Sequence, residues 1–306
     1  MKAVIYSEYG PPSVLKLGEI EKPRPAAGEI LVKVRATTAT AGDWRMRAAD
    51  PFVARLFNGL RRPKRVRVLG FEISGEVEAV GAGVTRFKPG DAVFAFLGFR
   101  FGGYAEYAVV PADGGSASAG FAALKPSTVS FEEAAAVPVG GLTALGFLRK
   151  AGLRPGAKVL IYGASGSVGT YAVQMAKGGG AAVTGVSSGA NRALVQSLGA
   201  DRVIDYTRGD FTEEGFTYDI VFDAVGKLPS GIGRRLVAPG GRFVSVNGSA
   251  KLFAADMATL ADLLETGRLK AVIDRRYRLD DIVLAHEYVQ GGHKRGNVVI
   301  DVAGGV

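Results

Sequence analysis

The chain has 306 residues, of which 47% are hydrophobic, enough for a buried core and for two domains. It has a formal net charge of +9 and no cysteine, which excludes disulfides, thiolate metal ligands and a cysteine nucleophile. We find no signal-peptide pattern and no apolar stretch of about 18 residues, so we expect a cytoplasmic protein without a membrane partner.

Short apolar or alternating segments, typical of β-strands, fill the first 120 or so residues. They are separated by glycine and proline and include KAVIY, EILVKVRAT, GEVEAVG, DAVFAF and YAEYAVV. This pattern predicts an antiparallel barrel or sandwich. One basic segment interrupts it at 55–68. We interpret that segment as a solvated loop rather than a nucleic-acid surface or a rim for an anionic ligand, because only one aromatic residue, Phe57, lies among its basic residues. Nucleic acid is therefore not expected as a partner.

Beyond the small-residue loop at 111–120, strands and helices alternate. The first helix begins at Ser130, a predicted N-cap, and continues through FEEAAAVPVGGLTALGFLRKAG. The predicted strands are AKVLIYGA, AAVTGVS, RVIDY, YDIVFDAVG and GRFVSVNG, and the predicted helices between them are VGTYAVQMAK, NRALVQSLG and GIGRRLVAPG. Such alternation predicts a doubly wound parallel sheet. The chain then ends in a helix that begins with acidic residues and a strand that returns to the first domain.

A glycine-rich turn follows the strand AKVLIYGA and leads into a helix. A dinucleotide fingerprint needs three small residues, and we assign them to Ala164, Gly166 and Gly169. Backbone N–H groups of the turn and the helix start would then face a pyrophosphate, and the residues concerned also include Ser165, Ser167 and Val168. A turn that serves packing alone is the alternative, but the surrounding strand–turn–helix pattern favours dinucleotide binding.

The end of the following strand indicates which dinucleotide is bound. A site for NAD usually has an acidic residue there, whereas this chain has Ser187, Ser188, Asn191 and Arg192. Hydroxyl, amide and guanidinium groups can bind a 2′-phosphate, so we predict NADPH. The alternative for Arg192 is an exposed residue in the first turn of a helix.

Motifs along nearly the whole chain resemble the zinc-free, quinone oxidoreductase-like branch of the medium-chain dehydrogenase/reductase superfamily. They include GDWRMR, LGFEISGEVEAVGAGVTRFKPGDAVF, GGYAEYAVVP, LGADRVIDY and GHKRGNVVIDV. The resemblance implies an α/β protein with a GroES-like β-rich domain (1–122 and 270–306), a Rossmann domain (123–269) and an active site in the cleft between them. It also implies NADPH-dependent hydride transfer to a quinone or an α,β-unsaturated carbonyl compound.

Zinc-dependent relatives place cysteine and His-Glu ligands near the nicotinamide. Here Phe71 takes the position of the ligand histidine, and only Glu72 is retained. The two histidines, His286 and His293, lack partners at metal-like spacing, so we expect surface or packing roles and no zinc. Without a Lewis acid, reduction of an electrophilic acceptor is favoured over alcohol oxidation.

The resemblance assigns further cofactor contacts to residues at strand ends and in the last motif. These are Thr143, Tyr206, Asp223, Ala224, Val225, Gly226, Val246, Asn247 and Asn297. For Tyr206, plain packing is an equal alternative. Thr40 replaces an asparagine that is common in the family, which puts one amide contact in doubt, whereas Asp43 is retained.

Candidate catalytic residues are Thr40, Asp43, Arg47 and Tyr104. Tyr104 is either a proton donor or a packing residue, and water is the alternative source of the proton. Aromatic residues that could form a slot for a flat substrate are Trp44, Phe71, Phe96 and Phe99, together with Phe101.

Two alternatives to the predicted function remain: an alkenal or enoyl reductase on the same scaffold, and a weakly catalytic NADPH-binding sensor or RNA-binding protein. Proteins of the resembled family often form homodimers through an edge strand of the Rossmann sheet, and GGRFVSVNG is the candidate strand here.

Overall fold

The computed structural model describes residues 1–209 and 211–304. These residues form two compact units. The β-rich unit contains 1–139, 253–265 and 273–306, and the nucleotide unit contains 140–252 and 266–272. The boundaries at 122/123 and 269/270 expected from the family resemblance stay a prediction.

In the β-rich unit, the described residues form two sheets. A hairpin pairs β1 (Lys2–Ile5) with β2 (Lys16–Glu19). The larger sheet contains seven described strands: β3 (Glu29–Thr38), β4 (Glu72–Val80), β5 (Ala92–Phe96), β6 (Tyr107–Pro111), β7 (Phe121–Leu124), β13 (Ile273–Arg278) and β14 (Asn297–Asp301). The order is β13-β14-β3-β4-β5-β7, with β6 on β3. β14 pairs antiparallel with β3, which confirms that the closing strand returns to this sheet.

The helices of this unit lie at its strand ends and surface. They are α1 (Ala41–Ala48), α2 (Val53–Asn58), α3 (Phe131–Ala135), α8 (Ala254–Glu265) and α9 (Ile282–Gln290). Ser130 is the N-cap of α3, and its hydroxyl and the Glu133 carboxylate form a capping box. The predicted long helix ends earlier than expected. Pro138 starts a separate helix, α4 (Pro138–Ala151), since proline cannot continue the hydrogen-bond ladder of α3.

The nucleotide unit has one parallel sheet of five described strands in the order β10-β9-β8-β11-β12. The strands are β8 (Lys158–Tyr162), β9 (Ala182–Ser187), β10 (Arg202–Asp205), β11 (Tyr218–Asp223) and β12 (Val237–Ser245). The connecting helices are α5 (Ser167–Gly178), α6 (Arg192–Ser197) and α7 (Ser230–Arg235). The predicted Rossmann sheet is therefore present, with its first strand in the centre.

Two predicted segments differ from the structure, one in the extent of a helix and one in an additional strand. The segment GIGRRLVAPG is helical only to Arg235, because Val237 already pairs with Tyr218 of β11 and Pro239 has no N–H for a helix. The carboxy-terminal region was predicted as a helix and a strand, but β13 precedes that helix and pairs parallel with β14. Among the described helices, none has the length and apolar character needed to cross a membrane.

Candidate functional site

The glycine-rich turn between β8 and α5 uses its small residues for three different purposes. Gly163 has φ +79°, a left-handed conformation that favours glycine, and an added Cβ would lie 2.5 Å from Val225 Cγ1. The tight turn is thus at Gly163, not at Ala164, which is buried and donates its N–H to Val186 O at 3.0 Å. A Cβ at Gly169 would lie 2.1 Å from Gly163 O, so this glycine allows the helix to pack on the strand.

Gly166, the middle glycine, is not required by packing within the protein. An added Cβ would meet no protein atom closer than 3.4 Å. Gly166 is also the N-cap of α5 and provides no side-chain capping bond to the helix start. A glycine that packing does not require, at the positive end of a twelve-residue helix, fits the close approach of a pyrophosphate. The turn is therefore suited to a dinucleotide.

Polar side chains from the end of β9 reach this turn. Asn191 Nδ2 donates to Ser165 Oγ at 3.2 Å and to Ser188 Oγ at 3.1 Å, so three predicted cofactor residues form one cluster. The other two residues predicted to contact the cofactor at this strand end, Ser187 and Arg192, do not join the cluster. Ser187 is buried and donates to Ser188 O at 3.1 Å, whereas Arg192 donates to Val203 O at 2.9 Å. The cluster of hydroxyl and amide groups beside the turn thus consists of Ser165, Ser188 and Asn191.

Asp205, at the end of β10, was not identified from the sequence. It lies opposite Ser187 in the sheet register and also accepts from the backbone N–H of Gly189. Its carboxylate accepts from Thr207 N at 3.0 Å and Thr207 Oγ1 at 2.7 Å, and these bonds lower its pKa. The carboxylate thus holds the loop that carries Ser188. Because neighbouring parallel strands end at one sheet edge, this acidic residue could have been found from the strand alignment.

The predicted cofactor residues after β11 and β12 form a second loop region. Asp223 is fully buried, and its carboxylate accepts from Gly226 N at 2.8 Å, Val225 N at 3.2 Å and Ser245 Oγ at 2.9 Å. Asn247 Nδ2 donates to Gly226 O at 2.8 Å. Asp223 therefore fixes the turn that carries Ala224, Val225 and Gly226, and it is also bonded to the start of the segment that carries Val246 and Asn247. Tyr206 is about half exposed, and Asn297 is buried in the β-rich unit.

In the β-rich unit, Thr40 and Asp43 form the amino-terminal capping box of α1. Thr40 Oγ1 donates to Asp43 Oδ2 at 2.6 Å, and Gly70 N donates to Asp43 Oδ1 at 2.8 Å. Burial raises the pKa of Asp43 to about 6, although the hydrogen bonds from Thr40 and Gly70 oppose this shift. The Asp43 carboxyl also interacts with the hydroxyl of Tyr104.

Tyr104 and Arg47, predicted to be catalytic, belong to a buried network with His286. Arg47 Nη1 lies 3.2 Å from His286 Nδ1, and His286 Nε2 lies 3.0 Å from the Tyr104 hydroxyl. A guanidinium only donates, so Nδ1 accepts, Nε2 carries the ring proton and the Tyr104 proton is directed to Asp43. Burial, with the Arg47 charge, lowers the pKa of His286 to about 3.

The burial of this network favours packing roles for its members. Arg47 is fully buried and also donates to Gln290 Oε1 at 2.5 Å and Gly10 O at 3.1 Å. Tyr104 is fully buried, which supports its alternative role in packing rather than proton donation to a substrate. His286 is buried as well, so it packs in the core and is not a surface residue.

Glu72 is the one retained residue of the zinc-ligand pattern. Both oxygens of its carboxyl group accept hydrogen bonds from other groups of the protein. Oε1 accepts from the Thr38 hydroxyl, and Oε2 accepts from Val139 N at 2.6 Å. Burial raises the pKa of Glu72 to about 8 and lowers that of Lys294 to about 8. Among the described residues, no three His, Asp or Glu side chains are grouped so that they could hold a metal ion.

The predicted aromatic slot is only partly assembled. Phe71 lies 4.1 Å from Phe101 between ring centroids, and Trp44 packs on the same cluster. Phe96 instead pairs with Phe121 at 6.3 Å, and Phe99 is 52% exposed. Of the four predicted pocket residues, Trp44 and Phe71 therefore remain the candidates for contact with an apolar substrate.

Comparison with protein families gives three matching segments. Residues 26–117 match the alcohol dehydrogenase GroES-like domain. Residues 167–274 and 249–300 match two models that are both described as zinc-binding dehydrogenase. The two kinds of model together cover parts of both the β-rich unit and the nucleotide unit.

Individual proteins match over almost the full chain. A chloroplastic quinone oxidoreductase of Triphysaria versicolor is 33% identical, with 98% of each chain covered. The chloroplastic NADPH-dependent alkenal/one oxidoreductase of Arabidopsis thaliana is 30% identical over 98% of this chain and 79% of its own. Among solved structures, the quinone oxidoreductase of Coxiella burnetii has a TM-score of 0.85 at 31% identity, with 99% of each chain covered.

Proposed function

Because the chain belongs to the medium-chain dehydrogenase/reductase superfamily, we propose that it is an NADPH-dependent oxidoreductase that reduces a quinone or an α,β-unsaturated carbonyl compound. The observation that carries the proposal is the glycine-rich turn, where packing explains Gly163 and Gly169 but leaves Gly166 open toward a ligand. The names of the similar proteins favour a quinone or an enone as the acceptor.

The preference for NADPH over NADH rests on the cluster of Ser165, Ser188 and Asn191 beside the turn. Its hydroxyl and amide groups can donate hydrogen bonds to a 2′-phosphate. Asp205, at the end of β10, faces this loop, and Gly189 N, Thr207 and Arg208 already interact with its carboxylate. We propose that Asp205 shapes the loop and does not bind a ribose hydroxyl.

We further propose that the reaction needs no zinc. The chain has no cysteine and has Phe71 in the position of a ligand histidine. Glu72 is bonded to Thr38 and Val139, and His286 is bonded to Arg47 and Tyr104. This donor set does not fit the three protein ligands of a catalytic zinc site. Metal analysis of the purified protein after chelator treatment tests this point, and retained stoichiometric zinc would contradict it.

Bound NADPH would supply a hydride to the acceptor. The chain's own groups would bind and orient the reactants. The Thr40 hydroxyl donates to Asp43, and the Tyr104 hydroxyl lies between His286 and Asp43, so neither is free to protonate a product. We propose that the proton for the reduced oxygen comes from water, and that Trp44 and Phe71 contribute apolar contact area for the substrate.

The test is oxidation of NADPH and of NADH, followed at the nicotinamide absorbance, with ortho-quinones, para-quinones, enones and simple aldehydes. We expect turnover of quinones or enones with NADPH preferred. The variant Asn191→Asp would place a carboxylate beside the 2′-phosphate, so KM for NADPH should rise about tenfold while KM for NADH changes little. An equal rise for both cofactors would contradict the assignment of the cluster.

A non-catalytic NADPH-binding protein is the competing function. Tight binding of NADPH without turnover of any acceptor in the panel would favour it. Binding would be measured by quenching of protein fluorescence, which does not depend on catalysis. If Gly166→Ala lost this binding at unchanged stability, the assignment of the turn as the cofactor site would be supported even if the proposed reaction were wrong.

A further inference from the structure

Helix α2 exposes an apolar face that a helix of a globular protein normally buries. Four large apolar side chains within nine residues are mostly exposed: Phe52 at 66%, Val53 at 60%, Leu56 at 68% and Leu60 at 60%. Val53 and Leu56 lie three residues apart on α2, and Phe52 and Leu60 flank the helix. Single exposed apolar residues need no explanation, but a group of this density marks an interaction surface.

The segment behind this face is fixed by a buried asparagine. Asn58 is 1% exposed, and its Nδ2 donates to the Tyr6 hydroxyl at 2.8 Å. Its Oδ1 accepts from Val66 N at 2.7 Å and from Arg65 N at 3.1 Å, so the chain after α2 folds back beside the helix. Arg55 Nη1 also donates to Leu60 O at 3.2 Å. The apolar face is therefore presented by an ordered segment.

The same segment has a dense positive charge. Residues 52–68 contain no acidic residue and six basic ones: Arg55, Arg61, Arg62, Lys64, Arg65 and Arg67. Five of them, all except Arg55, are exposed, and none of the six forms an ion pair among the described residues. Phe57, which lies within the run, packs under the Arg65 guanidinium at 4.4 Å from its ring centroid. The interpretation as a plain solvated loop therefore leaves both the aromatic contact and the apolar face unexplained.

We infer that the basic apolar patch, formed by residues 52–67, docks the protein on an anionic lipid surface. Positive side chains complement acidic headgroups, while phenylalanine, valine and leucine side chains enter the boundary between headgroups and acyl chains. Nucleic acid would match the charge, but it offers no comparable site for three exposed aliphatic side chains. The absence of a membrane-spanning helix does not bear on such peripheral docking. This inference does not depend on the proposed reaction.

The test is co-sedimentation of the full chain with phosphatidylcholine vesicles that contain either no anionic lipid or about one third phosphatidylglycerol. We expect binding to the anionic vesicles only, weakened by added salt. Arg61→Gln with Arg62→Gln should weaken binding about 25-fold, since each basic residue contributes about a fivefold change. The exposed pair Arg234→Gln with Arg235→Gln, in the nucleotide unit, is the matched control and should leave binding unchanged.

A second pair tests the apolar part. Leu56→Gln with Leu60→Gln should reduce vesicle binding about tenfold or more, whereas Leu17→Gln, at another exposed leucine, should not. Circular dichroism and thermal unfolding should show that every variant is folded. Equal binding to both vesicle types would overturn the inference. So would a salt-sensitive complex with RNA in place of vesicle binding, or conversion of a dimer to a monomer by the leucine variant without vesicle binding.

Discussion

Two polar regions of the molecule use their hydrogen-bonding groups in opposite ways. In the β-rich unit, the side chains of Asp43, Arg47, Tyr104 and His286 find their partners inside the protein and are fully or almost fully buried. At the turn of the nucleotide unit, Gly166 has no protein atom within 3.4 Å of an added Cβ, and Ser165 and Ser188 are only partly buried. The difference indicates that the first region serves the fold, and it supports our proposal that the second binds a ligand.

The largest effect is expected from breaking the buried network at Arg47. The variant Arg47→Met keeps most of the side-chain volume but leaves His286 Nδ1, Gln290 Oε1 and Gly10 O without their donor. Unsatisfied buried acceptors destabilise a fold, so we expect a loss of about 3 kcal/mol or more in the free energy of unfolding. Urea unfolding measures it. The exposed Arg61→Met is the control and should change stability by less than about 0.5 kcal/mol.

The glycine-rich turn can be tested with a matched pair of alanine variants. Gly169→Ala places a methyl group 2.1 Å from Gly163 O, so α5 must move and we expect a loss of about 2 kcal/mol in stability. Gly166→Ala meets nothing closer than 3.4 Å and should keep its stability, but it should bind NADPH roughly tenfold more weakly. Calorimetry and cofactor titration separate these two effects. Equal destabilisation by both variants would remove the basis for a ligand-facing Gly166.

Local patterns explain why much of the nucleotide unit could be predicted. The strand–turn–helix pattern identifies β8 and α5, and a serine followed by acidic residues in the first turn identifies the cap at Ser130. The dinucleotide fingerprint misplaced the tight turn at Ala164, since both Gly163 and Ala164 are small. Only the positive φ of Gly163 separates them, and it depends on the path of the backbone toward β9.

The network around His286 could not be predicted, because its contacts are far apart in the sequence. Tyr104 and His286 are separated by 182 residues, and Arg47 and His286 by 239. No periodicity or spacing relates such positions, and they meet only after α9 and β14 have joined the β-rich unit. The exposed face of α2 was missed for a related reason. Its apolar spacing is that of a core helix, and only packing reveals which side is buried.

Acid should weaken the fold through His286. Between pH 6.5 and about 3, the unfolded chain protonates this histidine while the folded protein keeps it neutral, so its contribution to stability is lost as the pH falls. Asp43, with its pKa raised from 3.8 to about 6, acts in the opposite direction between those values. The difference in stability between the wild type and His286→Gln isolates the histidine. It should shrink by up to about 1.4 kcal/mol per pH unit below pH 6.5.

The smallest change, Tyr104→Phe, sharpens the comparison between the two regions. It removes one hydroxyl, which accepts from His286 and interacts with Asp43, and leaves the ring packed in the same core. We expect a loss of about 1 kcal/mol in stability. Turnover with NADPH and the best quinone or enone should stay within about twofold, because a proton from water does not pass through a buried phenol. If turnover instead fell roughly a hundredfold at unchanged stability and cofactor affinity, Tyr104 would be the proton donor, and the buried network would be joined to the chemistry.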